Sequence, residues 1–179
     1  MGLDMHLLKT KRVPGLDKEV YEQAERAIQH DTMGKEVDEN YKLDLTKLID
    51  HPKAKELKPF YNKAMHFSWW TLMEEVAYWR KANQIHKWFV DNVQGGADDC
   101  KLYEVKREHL DRLLYICKQV ESSWDSGVDL LPVQEGFFFG SNEYDERYKE
   151  DIIGTIDQIT VALEEVDFDR DILFYQSSW

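Results

Sequence analysis

Leu3, Met5 and Leu7 alternate with polar neighbours at the start of the chain, and Pro14-Gly15 closes the run. This predicts a strand ended by a turn. Asp17 then stands where an N-cap belongs, ahead of Val20, Tyr21, Ala24, Ala27 and Ile28 at helical spacing, so residues 17–30 read as a helix. Residues 31–42 are polar and read as a loop. From Leu43 to Leu57 the pattern is mixed, and Pro52 allows at most a short helix on each side. Residues 69–90 hold four of the six tryptophans. Placed on a helix that advances about 100° per residue, their apolar side chains fall on every side of the axis. That predicts one long buried helix, starting near Asn62 and ending before Gln94-Gly95-Gly96.

Cys100–Val105 alternates like a short strand, and Leu110, Leu113, Leu114, Cys117 and Val120 mark one face of an amphipathic helix. Trp124–Val133 read as an irregular connection, and Gly136–Gly140 as a short buried strand or an aromatic loop. Ser141 or Asn142 is placed to cap a helix running to about Val166, with Tyr148, Ile152, Ile153, Ile156, Ile159 and Leu163 as its repeating apolar positions. Ile172–Gln176 has the aromatic content of a strand and is expected to pair with the N-terminal strand. The expected fold is α+β: one domain spanning 1–179, with a central aromatic helix and amphipathic helices on a small sheet built from both chain ends.

Three segments carry a resemblance. The Met1-Gly2-Leu3-Asp4-Met5 opening, the run Glu75–Val90 and the segment Gly136-Phe137-Phe138-Phe139-Gly140-Ser141 together resemble a family of short, uncharacterised proteins of bacteria and bacteriophages. The likeness spans most of the chain. Tyrosine is usual in that family's opening where this chain has His6, which makes His6 a poor candidate for a shared role. The resemblance implies a phage or prophage origin and brings no activity or catalytic residue with it.

Composition narrows the possible partners. At 42% hydrophobic and 13% aromatic residues the chain has the makings of a packed core. Thirty-five acidic against 23 basic residues give a net charge of −12, which argues against broad nucleic-acid binding. No basic-then-apolar leader opens the chain and no run reaches the roughly 18–20 apolar residues of a membrane span, so a cytoplasmic protein is expected, in the host cytoplasm if phage-encoded. Cys100 and Cys117 are then expected as free thiols.

Candidate chemistry concentrates in the aromatic segment. On a helical wheel Arg80, Asn83 and Lys87 share one side, with His86 displaced towards Trp79 and Glu75. A planar guanidinium, an ammonium, an amide and an indole suit a nucleotide-like or other anionic ligand. The alternative is that Arg80 and Lys87 pair with Glu74, Glu75 or Asp91 and that the tryptophans are core. Gly140 and Ser141, ahead of a helix start, add backbone N–H groups able to face an anion. The histidines and cysteines lack metal-ligand spacing, so neither a metal nor a cofactor is expected.

Three functions compete. The first is a small binding protein that holds the anionic ligand through Trp79, Arg80, Asn83, His86, Lys87, Gly140 and Ser141, to counter or modulate a host pathway. The second is an enzyme acting on a phosphorylated or nucleotide substrate, with His86 as acid/base. The third is an acidic interaction module, displaying Glu143, Asp145, Glu146, Glu150 and Asp151 to a host protein.

Overall fold

In the computed structural model residues 2–34, 49–63 and 70–179 are described. They fall into two compact units. Met1–Leu8, Glu75–Phe168 and Leu173–Trp179 make the first, and Lys9–Glu74 with Asp169–Ile172 the second. The fold class is α+β.

A four-stranded antiparallel sheet has the order β4-β1-β6-β5, where β1 is Asp4–Lys11, β4 Glu74–Arg80, β5 Tyr103–Val105 and β6 Asp171–Ser178. The N- and C-terminal strands therefore lie side by side at its centre. Period-two patterning accounts for the placement, since Leu3, Met5 and Leu7 enter the first unit's core together with Leu173 and Tyr175 of β6. Edge strand β5 pairs with β6 in the register Tyr103↔Tyr175 and Val105↔Leu173.

Two helices complete this core. Leu110, Leu113, Cys117 and Val120 of α3 (Arg107–Ser122) and Ile152, Ile159 and Ala162 of α5 (Glu146–Glu165) are buried in it, and the two helices pack against each other. Burial of that many aliphatic side chains, at about 1.5–3 kcal/mol each, is the main force holding the unit together. The cap of α5 is Asp145, whose carboxylate accepts the Tyr148 N–H, and not Ser141 or Asn142. The chain between Ser141 and Asp145 is not helical: it bends at Glu143, whose N–H is accepted by Ser141 Oγ in a local turn that competes with helix. Ile153 of α5, expected among its apolar positions, is exposed because it lies off the stripe of Ile152, Ile159 and Ala162. Trp124–Val133 is a 3-10 turn followed by the short helix α4 (Gly127–Leu130).

The long aromatic helix is replaced by a strand and a shorter helix. Glu74–Arg80 is β4, with Ala77 and Trp79 buried and Tyr78 and Arg80 outward. Asn83–Asn92 is α2. Between them Lys81 adopts φ +61°, a left-handed conformation that stops the strand and turns the chain into the helix. Apolar residues spread all round the wheel because two periods, 2.0 and 3.6, were superposed on one axis. The predicted end before Gln94 agrees with the structure.

In the second unit α1 (Lys18–Thr32) begins at Asp17, whose carboxylate accepts the Val20 N–H. Tyr21 ties this helix to the Pro14-Gly15 turn by accepting the Val13 N–H at 2.7 Å and donating to the Lys11 carbonyl. Glu25, pushed up in pKa by burial, accepts from Thr71 Oγ at 2.6 Å and from the Leu72 N–H at 2.7 Å. It thereby holds strand β3 (Trp70–Thr71), which pairs with β2 (Asn62–Lys63). A 3-10 helix covers Ala54–Phe60. The expectations for 35–48 and for Trp69 fall outside the described residues.

Candidate functional site

The sequence-predicted residues do not converge. Arg80, outward on β4, is bound to Asp4 of β1 at 2.9 Å, and Lys87 pairs with Asp91 one helical turn on, also at 2.9 Å. Trp79 points inward and donates its indole N–H to Thr155 Oγ of α5 at 2.9 Å. Glu75, one of the partners considered for Arg80, bonds His6 instead.

His86 is fully enclosed, and both ring nitrogens are engaged. Its Nε2 lies 3.0 Å from Asp98 Oδ2 and its Nδ1 2.8 Å from the Tyr175 hydroxyl. A carboxylate oxygen accepts, so Nε2 carries the ring hydrogen and donates to Asp98, and Nδ1 accepts a hydrogen bond from the Tyr175 hydroxyl. Burial lowers the His86 pKa against the opposing pull of Asp98. The same burial, helped by Asp98, pushes Tyr175 well up. The order acid, imidazole, hydroxyl resembles a nucleophile relay, but Tyr175 has no exposed surface. No nitrogen of His86 is left for a substrate. The cluster is packed further by Phe89 stacked on Tyr175, ring centroids 4.1 Å apart, and by Phe139 edge-on to His86.

Asn83 has a different role. Its Nδ2 donates to the carbonyls of Phe139 and Ser141 at 3.2 and 2.8 Å, and its Oδ1 accepts the Gln134 N–H at 2.9 Å. One buried amide thus clamps the start of α2 to both ends of the loop 134–141. Gly140 completes the seam with φ +101°, and a Cβ there would meet the Lys81 carbonyl oxygen at 3.0 Å. The loop consequently lies against the Lys81 backbone.

That seam makes a surface depression of about 460 Å³, lined by Lys81, Phe137, Phe138, Gly140, Ser141 and Arg147. It is open to solvent rather than enclosed, so its side chains can be reached directly from the surface. Lys81 follows β4 and Arg147 lies in the first turn of α5, two elements that the Trp79–Thr155 bond links. Neither makes a salt bridge among the described residues; Arg147 does lower the pKa of Asp151, which burial raises. Phe137 is 95% exposed and stands edge to face with Phe138 at 4.9 Å. The Ser141 hydroxyl accepts the Glu143 N–H at 3.1 Å, leaving its own hydrogen to donate. Two cations, a hydroxyl donor and an aromatic face can hold an anion joined to a planar group.

Of the predicted ligand-binding residues, Gly140 and Ser141 line this depression and Asn83 positions its loop. Lys81, Arg147, Phe137 and Phe138 also line it and were not among the predicted ligand-binding residues. Arg147 had a legible signal once the helix starts at Glu146, because a cation in a first turn opposes the helix dipole. Lys81 had none, since nothing in a lysine announces a left-handed residue. Among the described residues no cluster of three metal-ligating side chains occurs, and no helix is long and apolar enough to cross a membrane. No family model, no curated protein and no solved structure matches this chain.

Proposed function

We propose that this is a small binding protein that holds an anionic, nucleotide-like ligand in the depression between Lys81 and Arg147. The observation that carries the reading is the meeting of these two cations, neither in a salt bridge among the described residues, beside the exposed ring of Phe137. Arg80, Lys87 and Lys149 are taken up by carboxylates, whereas Lys81 and Arg147 face the depression together. An exposed phenylalanine on a loop pinned by Asn83 is a surface held ready rather than a frayed end. Holding a ligand requires no acid or base, which accords with a His86 closed on Asp98 and Tyr175. The phage setting implied by the sequence resemblance suits a protein that sequesters a host metabolite and so modulates a host pathway.

Titration calorimetry with adenosine monophosphate and with phenyl phosphate tests this. Both ligands are expected to bind, and the double variant Lys81→Ala/Arg147→Ala to weaken them by at least tenfold with its circular dichroism unchanged. Binding of neither ligand, or equal binding by the double variant, refutes the proposal.

A further inference from the structure

The depression is not uniform in charge. A smaller recess shares Lys81, Ser141 and Arg147 with it and is lined as well by Glu143, Asp145 and Asp151. Two of these carboxylates are fixed in place. Asp145 accepts the Tyr148 N–H as the cap of α5, and Asp151 accepts from Gln84 Nε2 at 3.3 Å. An anion seated between Lys81 and Arg147 is therefore bounded on one side by carboxylates that cannot swing clear. On another side it meets Phe137, whose ring packs only edge to face on Phe138.

These boundaries set the number of charges and the shape that fit. Lys81 and Arg147 supply two positive charges to one doubly ionised phosphoryl group, and the three carboxylates beside them leave none over for a second. The recess holds only about 10 Å³, space for a single water, so a second phosphate finds no room there and is left facing the three carboxylates, where like charges repel across short distances. The long-range field of a protein at −12 also disfavours a polyanion. Phe137 instead favours a flat apolar group attached to the phosphate, by stacking.

Resting on the anion-binding reading above, we infer that the ligand class is an aromatic monophosphate, with its phosphoryl group between Lys81 and Arg147 and its ring on Phe137, and that polyphosphates and polynucleotides are rejected. Ser141 adds a donor to the phosphoryl oxygens, and Glu143 is the carboxylate most readily removed, being exposed and serving in no side-chain bond among the described residues. Selectivity follows from the fence as much as from the cations.

Calorimetry on the intact chain with five probes tests the inference: adenosine monophosphate, adenosine, ribose 5-phosphate, adenosine triphosphate and a 12-nucleotide single strand. The monophosphate is expected to bind at least tenfold more tightly than each of the others. Phe137→Ala should bring adenosine monophosphate down to the affinity of ribose 5-phosphate and leave the latter unchanged. Glu143→Gln should narrow the gap between mono- and triphosphate several-fold. Equal affinity for ribose 5-phosphate and the monophosphate, or tighter binding of the triphosphate or the strand, overturns the aromatic-monophosphate assignment while anion binding stands. Failure of every phosphorylated probe to bind overturns both.

Discussion

His86 accepts a hydrogen bond from the Tyr175 hydroxyl across 2.8 Å at a point where neither side chain has any solvent-exposed surface. Removing the hydroxyl would leave Nδ1 buried without a donor, a loss of about 1–3 kcal/mol. Tyr175→Phe is therefore expected to lower the urea unfolding free energy by that amount at pH 8, where His86 is neutral. A loss below about 0.5 kcal/mol would contradict the placement of the proton on the Tyr175 hydroxyl.

The same pair sets a pH dependence. Burial holds the folded-state pKa of His86 below its ordinary 6.5, so the unfolded chain binds the proton more readily. The His86 contribution is complete above about pH 6.5 and is lost as the pH falls from there through the folded-state value. Glu25 acts in the opposite direction, because its raised pKa favours the protonated fold and its contribution fades as the pH rises through that value. Unfolding midpoints measured from pH 8 to pH 5 should show a decline that His86→Gln flattens. An unaltered slope in the variant would place the titration elsewhere.

Asn83 spends its whole side-chain amide on the loop that carries Phe137. Asn83→Ala strands two carbonyls and an N–H, and a cost of about 1–3 kcal/mol follows for each group left buried without a partner. Much of that cost is avoidable if the loop opens to water. The expected outcome is modest global destabilisation with sharply faster hydrogen exchange and protease cleavage at residues 134–141, checked by mass spectrometry. Cleavage rates equal to the parent protein's would show that Asn83 does not hold the loop.

The two thiols should separate cleanly by reactivity. Cys117 is packed into the first unit's core, and burial pushes its pKa to about 12, whereas Cys100 is only part-buried in a left-handed turn at φ +58°. Burial raises the Cys100 pKa as well, so neither is an activated nucleophile. Iodoacetamide at pH 8 is expected to label Cys100 slowly in the folded protein and Cys117 only after denaturation. Rapid labelling of both would mean that the α3–α5 core opens far more readily than its packing implies.

What could be read from the sequence were the features with local causes. Leu3, Met5 and Leu7 fixed an inward strand face, Asp17 capped its helix, Cys117 lay on an apolar helix stripe, and aromatic β-formers in the tail marked a strand. Each depends on residues within a turn or two of chain. The segment 74–92 was misread because periodicity averages over a window and cannot see one residue, Lys81, taking a positive φ between a strand and a helix.

Residue types and their pattern specified an α+β fold and an acidic chain, and left open whether Arg80 and Lys87 would meet a ligand or carboxylates. Which cations would be loose was a tertiary outcome. Asp4 reaches Arg80 because β1 and β4 are neighbours, and Asp91 reaches Lys87 along one helix, while Lys81 and Arg147 meet beside Phe137 from two elements that the Trp79–Thr155 bond links, next to the loop that Asn83 pins. The Lys87–Asp91 pair is a local, helical one, but Asp4 and Arg80 are 76 residues apart and Lys81 and Arg147 66, and local pattern carries no record of how closely such segments approach.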